Sequence, residues 1–320
     1  MDPICHTMVG AALGWTGLER KTRFGRATLI LGANLPDVDV ISYAWGETAA
    51  LEFRRGMTHG ILALSILPFM LAGAMIWIDR LPRRKQAPSA VSANFKWLLA
   101  LSVISIFSHP TLDFLNVYGV RWLMPFDGTW FYGDVLYIAD PWMWAILGVA
   151  LAASYWRRKR STPRVLARPA CVGLLAVLIY IMAMTAGESI SRRAVEANLS
   201  GAEIPRLMIA PIPVDPFTRT VVIDGESTYR LGVVSLLPSP HFVLDERRVL
   251  RGDGVVARQA ASTEVGRVFL GWARFPFFEY DDSNSTRAVY ILDARYTLDR
   301  NAVFGSVRIP LSAEVGGRKF

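Results

Sequence analysis

The chain has 320 residues, of which 52% are hydrophobic and only 19% are charged, and its mean hydropathy is +0.30. This apolar content is higher than that of a typical soluble protein and argues against a soluble single domain. Nearly all of the net charge of +8 lies between apolar runs in residues 1–187. That pattern is typical of residues flanking membrane segments, whereas nucleic-acid binding needs a contiguous basic face, so no nucleic-acid partner is expected.

Residues 1–187 are predicted to form a mainly α-helical, polytopic membrane domain. Its six apolar segments are 3–18, 27–36, 60–78, 97–112, 141–156 and 169–187. The third and the last approach the roughly 20 residues needed to cross a bilayer, and the fourth and fifth, slightly shorter, are also predicted to span. The first two are short enough to be spans, a re-entrant pair or helices packed behind the others.

Three basic clusters, at 20–26, 80–85 and 157–168, set the predicted topology. Positive charge in short loops stays on the cytoplasmic side of the membrane. The chain is therefore predicted to be multi-pass, with residues 188–320 outside the cytoplasm. Arg54 and Arg55 are an exception, since this scheme puts them on the outer side.

Six ionisable residues lie in or beside the apolar segments, where such groups are costly. The predicted topology brings all of them to the outer face: His6, Asp37, Asp39, His59, His109 and Asp113. Imidazole nitrogens and carboxylate oxygens together suit a divalent ion such as zinc, with manganese or iron as alternatives. For any one histidine, a hydrogen bond to a backbone carbonyl is an equal explanation, but the convergence of the set favours a metal site.

Spacing gives some of these residues a predicted geometry. His109 and Asp113 are four residues apart, so a helix presents both on one face. Asp37 and Asp39, two apart and predicted in a loop, are two ligands, or a ligand and the partner of a ligand histidine. Either of them is a candidate general base, and a helix cap would explain one of them.

Further residues near these positions have two interpretations. Arg54 and Arg55 are candidates for a clamp that stabilises substrate phosphate, or form a basic step facing headgroups. Asp140 is a weaker candidate ligand. The aromatic segment 118–142 is either a lid beside the site or an ordinary interfacial belt.

The sequence resembles the YdjM-like (YbcI-like) family of inner-membrane proteins, which are described as metal-dependent hydrolases. The resemblance spans about residues 1–190 and rests on His6, NLPDVD at 34–39, RRGMTH at 54–59, HPTLD at 109–113 and ADP at 139–141. It implies a bacterial inner-membrane location and the six residues above as the metal site. It names no substrate.

Residues 188–320 are predicted to form a small α+β domain outside the membrane. No second active site is predicted in this domain. Residues 219–234 contain two apolar strands around Asp224-Gly225, a hairpin signal. Residues 263–274 have the periodicity of an amphipathic helix, and 287–296 and 302–311 are predicted strands. This domain either positions substrate or serves packing and partner roles.

The sequence thus favours a membrane-bound, metal-dependent hydrolase that acts through a metal-activated water on an ester or phosphoester. A lipid or lipid-linked substrate follows from a site at the bilayer, with the bilayer itself as partner. The alternatives are a transporter or metal-handling membrane protein without hydrolytic activity, whose ligands should lie near the bilayer midplane, and an assembly protein with a structural metal.

Overall fold

The chain folds into two compact units. In this computed structural model, residues 1–81, 92–160, 168–199, 206–225, 227–281 and 287–311 are described. The first unit comprises Met1–Ile41, Phe53–Glu188 and Pro211–Pro216, and the second comprises Ser42–Glu52, Ser189–Ala210 and Phe217–Phe320. Much of the basic clusters predicted at 80–85 and 157–168 lies outside the described residues.

The amino-terminal part of the chain is helical, as predicted. Its α-helices are α1 (Pro3–Trp15), α2 (Gly25–Gly32), α3 (Glu47–Phe53), α4 (Ile61–Arg80), α5 (Phe95–Phe114), α6 (Pro141–Arg160) and α7 (Arg168–Asn198). Two 3₁₀ helices cover Leu18–Arg20 and Leu35–Trp45. Helix α7 continues through the predicted domain boundary at 187/188, which stays a prediction.

Three of these helices are long and apolar enough to cross a membrane: Ile61–Arg80, Phe95–Phe114 and Pro169–Asn198. The predicted span at 141–156 forms α6, but α6 is not among these three. Its aromatic ends and its basic last turn lower its hydropathy, because both replace aliphatic residues. Helices α1 and α2 are shorter than a bilayer-spanning helix.

Small residues let α1, α2 and α5 pack closely. A Cβ atom at Gly10 of α1 would lie 2.7 Å from the carbonyl oxygen of Leu29 in α2. A Cβ atom at Gly32 of α2 would collide with the Ser105 side chain of α5. These close approaches hold α2 directly against α1 and α5.

The carboxyl-terminal part contains two sheets and two short helices, which confirms the predicted combination of a helical membrane region and a small α+β region. One sheet has the order β1 (Leu207–Pro211), β2 (Thr218–Asp224), β3 (Thr228–Ser235), β4 (His241–Leu250); the other has the order β5 (Pro276–Asp281), β6 (Ala288–Asp293), β7 (Ser306–Pro310). In chain order, α8 (Val255–Ser262) and α9 (Glu264–Trp272) come between the two sheets.

The predicted elements of this region are confirmed, and others were missed. Strands β2 and β3 form the predicted antiparallel hairpin, and the predicted amphipathic helix is α9, capped by the Thr263 hydroxyl. The strands predicted last are β6 and β7, which pair antiparallel. The sequence analysis did not predict β1, β4, β5 or α8. Strand β4 was missed because its sequence combines a few apolar residues with many charged ones.

Candidate metal centre

Two of the predicted site residues lie on one face of α5. His109 and Asp113 are buried, and His109 Nε2 is 3.5 Å from Asp113 Oδ2. The predicted i, i+4 geometry is therefore confirmed. Pro110 lies inside this helix, whose continuous run from Phe95 to Phe114 places the two donors one turn apart.

The two aspartates of the NLPDVD string lie in the 3₁₀ helix at Leu35–Trp45, not in a loop as predicted. Pro36, Asp39 and Ser42 are buried at intervals of three residues, which matches the three residues per turn of this helix. Asp39 therefore points inward. Asp37 is less buried, and its Oδ1 is 3.7 Å from His109 Nε2.

His59 lies in the turn just before α4 and completes a group of four donors. Its Nε2 is 3.1 Å from His109 Nε2 and 3.3 Å from Asp113 Oδ2. Asp37, His59 and His109 form a group whose ligand atoms all lie within 4.8 Å of one another. We call Asp37 Oδ1, His59 Nε2, His109 Nε2 and Asp113 Oδ2 the four-donor group.

The four-donor group fits a small divalent ion. The distances from His109 Nε2 to the other three donors and from His59 Nε2 to Asp113 Oδ2 are 3.1 to 3.7 Å. A tetrahedron with bonds of about 2.0–2.1 Å to nitrogen and oxygen has edges of about 3.3 Å. Asp113 Oδ2 is also buried without a hydrogen-bond partner among the described residues, which is costly unless a cation satisfies it.

Contacts on the far side of each imidazole keep the Nε2 lone pairs aimed into the group. His109 Nδ1 is 2.7 Å from the carbonyl oxygen of Ala33, so it carries the proton and donates. This carbonyl is free because α2 ends at Gly32 and the last carbonyls of a helix lack intrahelical partners. A ligand histidine held in this way has a fixed tautomer and ring orientation.

Asp39 has the corresponding relation to His59. His59 Nδ1 is 3.5 Å from Asp39 Oδ2 and 3.0 Å from the Thr58 hydroxyl. Asp39 Oδ2 also accepts hydrogen bonds from the Arg55 backbone amide and from Thr58. Burial lowers the pKa of His59, so its imidazole is neutral near pH 7, the form that binds a metal. The geometry thus separates the two aspartates, which the sequence left open.

His6 lies beside the four-donor group. Its ring stacks on His109 with centroids 3.7 Å apart and an interplanar angle of 21°, and its Nε2 is 3.3 Å from Asp113 Oδ1. His6, His109 and Asp113 form a second possible ligand group. An imidazole lone pair lies in the ring plane, so two stacked rings aim their lone pairs poorly at one ion. The prediction that His6 is a ligand stays a prediction.

The two arginines predicted as a clamp have different environments. The buried Arg55 guanidinium is 3.1 Å from Asp113 Oδ1 and donates to Asn116 Oδ1 and the carbonyl oxygen of Gly119. The Arg54 side chain is 21% exposed and lies 3.4 Å from Asp37 and 3.6 Å from Asp39. Of the two, Arg54 is the more exposed cation.

Sequence reasoning missed several groups around the site. Asn116 is buried and accepts from Arg55, and the amino group of Met1 contacts Asp113 Oδ1. No spacing signal pointed to them, because both act across large sequence separations. Asp140, a weaker candidate ligand, caps α6 by accepting from the amides of Trp142 and Met143, and it also accepts from the Tyr180 hydroxyl.

Comparison with known proteins gives one finding. A family model described as YdjM inner membrane protein matches residues 1–189. No curated protein and no solved structure matches the chain. The matched range contains every residue of the four-donor group together with helices α1 to α6.

Proposed function

Since this chain belongs to the YdjM family of inner membrane proteins, we propose that it is a metal-dependent hydrolase acting on an ester or phosphoester of a lipid or lipid-linked substrate. The observation that carries the proposal is the four-donor group: the ligand atoms of Asp37, His59 and His109 lie within 4.8 Å of one another, and Asp113 Oδ2 lies 3.3 and 3.5 Å from the two imidazoles. Zinc suits this donor set best, with manganese and iron as alternatives.

The depth of the group supports a hydrolase over a transporter. His59 lies two residues before α4 begins, and Asp113 is the last residue but one of α5. Both candidate spans therefore contribute their donors from an end, whereas transporters bind their substrates near the midplane. A site at this level meets the headgroups and ester linkages of lipids.

Each residue has a proposed task. A bound ion would need one coordination position beyond the four donors, which zinc can reach by becoming five-coordinate and manganese and iron commonly use. With a water there, the ion would acidify that water and polarise a substrate oxygen. Asp39 accepts a hydrogen bond from the Thr58 hydroxyl, whose oxygen accepts the proton of His59 Nδ1, so Asp39 supports the orientation of His59 through Thr58. Asp37, the more open carboxylate, accepts the proton of the attacking water at Oδ2. Arg54 stabilises the negative charge that develops on the substrate.

Arg55 is assigned a different task from the one the sequence suggested. Its guanidinium holds Asp113 Oδ1, which leaves Oδ2 directed at the two imidazoles. It is therefore proposed as a positioning residue.

The basic clusters support a multi-pass arrangement with the site at the outer leaflet and the carboxyl-terminal region outside the cytoplasm. The bilayer and a lipid or lipid-linked substrate are the proposed partners.

The first test is the metal content of detergent-purified protein, measured by elemental analysis. We expect about one equivalent of metal in the parent protein, and less than a tenth of it in His59→Ala and Asp113→Ala, since each loses a donor. His241→Ala is the matched control, because His241 is exposed on β4, and it should retain the metal. Folded parent protein that stays empty after incubation with zinc and manganese would contradict the proposal.

The second step is to offer the loaded protein a panel of phospholipids and lipid-linked phosphoesters and to measure the released headgroup. We expect release by the parent, and slower release by Arg54→Met with unchanged metal content. A loaded parent that cleaves none of the panel would favour the transporter or structural-metal alternatives.

A further inference from the structure

The segment between α5 and α6 is folded back and held in place beside the site. Val120 and Phe131 exchange two backbone hydrogen bonds of 3.0 and 2.9 Å. The amide of Arg121 donates to the carbonyl oxygen of Arg55, 3.0 Å away. The segment is therefore attached to the turn that carries His59.

The tip of this segment lies on the first turn of α4. The amide of Ile61 donates to the carbonyl oxygen of Trp122 at 2.9 Å, and a Cβ atom at Gly60 would collide with Met124. Trp122 packs against the buried cluster formed by α4 and α5. The amide of Phe126 donates to the carbonyl oxygen of Leu123, which closes the tip into a turn. The position of the tip is thus fixed relative to α4.

Four large apolar side chains are exposed at this place. Phe126 is 79% exposed and Leu123 40% in the segment, and Met57 is 43% and Ile61 52% exposed in the stretch to which the segment is bonded through Arg55 and Ile61. We call these four residues the apolar tip. Apolar side chains grouped on a surface indicate an interaction site, because leaving them in water is unfavourable.

The length of α4 indicates what covers the apolar tip. Helix α4 has 20 residues and is about 30 Å long, which equals the thickness of the hydrocarbon core of about 30 Å. Its first turn therefore lies at the edge of the core. The apolar tip includes Ile61 of that turn and the segment bonded to it, and Leu62 and Ile66 farther along α4 are exposed as well.

We propose that the apolar tip inserts into the lipid leaflet on the side of the membrane where the metal centre lies. Leu123 and Phe126 enter the upper acyl-chain region beside Ile61. The phospholipid headgroups of that leaflet then lie at the level of His59. The proposal goes beyond the proposed function, because insertion needs no catalysis.

The test compares fluorescent labels at two positions of the same segment. Phe126→Cys and Thr129→Cys are made in a Cys171→Ser background, since Cys171 is exposed and Cys5 is buried. Thr129 is exposed and polar, three residues from Phe126, which makes it the matched control. Each labelled protein is reconstituted in nanodiscs of phosphatidylethanolamine and phosphatidylglycerol, with or without lipids that carry a nitroxide near the carbonyl end of the acyl chain.

We expect nitroxide lipids to quench the label at position 126 at least threefold more than the label at 129, and aqueous iodide to show the reverse order. Elution of both proteins at the volume of the parent shows that the fold is kept. A label at 126 that iodide reaches as well as at 129 would overturn the proposal. Protection from both quenchers would also overturn it, because protein and not lipid would then cover the tip.

Discussion

Both units of the molecule bury a carboxylate, but they treat its oxygens differently. In the second unit, Asp293 accepts hydrogen bonds from the amides of Arg274 and Phe275, and the Arg295 side chain donates to it from Nε at 2.8 Å and Nη2 at 2.7 Å. In the first unit, Asp113 uses one oxygen in the same way, with Arg55. Its other oxygen faces two imidazole nitrogens and has no hydrogen-bond partner among the described residues.

This difference separates a carboxylate that maintains a fold from one that is ready for a ligand. Burying a charge is costly unless opposite charge and hydrogen bonds satisfy it, and Asp293 meets that condition within the chain. Asp113 Oδ2 and the two Nε2 atoms instead lie 3.1 to 3.5 Å from one another. The comparison is useful because buried charge alone does not indicate a ligand site, whereas buried acceptors that lie close to one another are a group that could hold a metal ion.

The largest expected effect is on the structural carboxylate. Asp293→Ala leaves the buried Arg295 guanidinium without its counter-charge, and we expect a loss of about 3–5 kcal/mol in local stability. Hydrogen exchange of the β6 amides measures it, since a chain of two units has no single unfolding free energy. Metal content should equal that of the parent. Loss of metal in Asp293→Ala would contradict the distinction between a structural Asp293 and a metal-binding Asp113.

A smaller and complementary effect is expected from the metal itself. Zinc at about 100 times its dissociation constant should stabilise the first unit by about 2.7 kcal/mol, because it binds the folded site. Exchange of the α5 amides should slow accordingly, while exchange of the β6 amides stays constant. Chelation should reverse the change. Equal slowing in both places would mean that zinc does not act through the four-donor group.

The smallest effect concerns the carboxylate behind His59. Asp39→Asn should weaken metal binding about ten- to a hundredfold, since the partner that orients His59 Nδ1 is weakened while every donor remains. A competition titration with a zinc indicator measures it. Asp79→Asn is the control, as Asp79 pairs with Arg23 outside the donor group. Equal zinc affinities of the two variants would contradict this role and mean that Asp39 serves only the structure of its 3₁₀ helix.

The part of the site that depends on local spacing was predictable from the sequence. His109 and Asp113 share a helix face because a turn of helix repeats every 3.6 residues, and apolar runs identified the helices that carry them. The predicted topology placed Asp37 and His59 on the same side as this pair, and the structure brings them within 3.7 Å of it. The helical region and the later sheet hairpin were predictable for the same local reasons.

The roles of individual residues were not predictable, because they depend on contacts between distant parts of the chain. Arg55 and Arg54 are adjacent in sequence, yet Arg55 reaches Asn116 in another segment and is buried, while Arg54 stays partly open. Asp37 and Asp39 differ in their position around a 3₁₀ helix, and the apolar pattern of the sequence did not predict that helix. Charge and spacing are equal within each pair, so packing alone distinguishes the members.

The hydrogen bond from His109 to the carbonyl oxygen of Ala33 has a consequence for mutational scanning. Because the acceptor is a backbone atom, every amino acid at position 33 offers the same oxygen. A scan that scores side-chain replacements would therefore report on the crowding of the buried Ala33 methyl group and never on this contact. Only a backbone change, such as an ester in place of the amide that follows Ala33, would weaken this acceptor, so a side-chain scan does not detect one orienting group of the site.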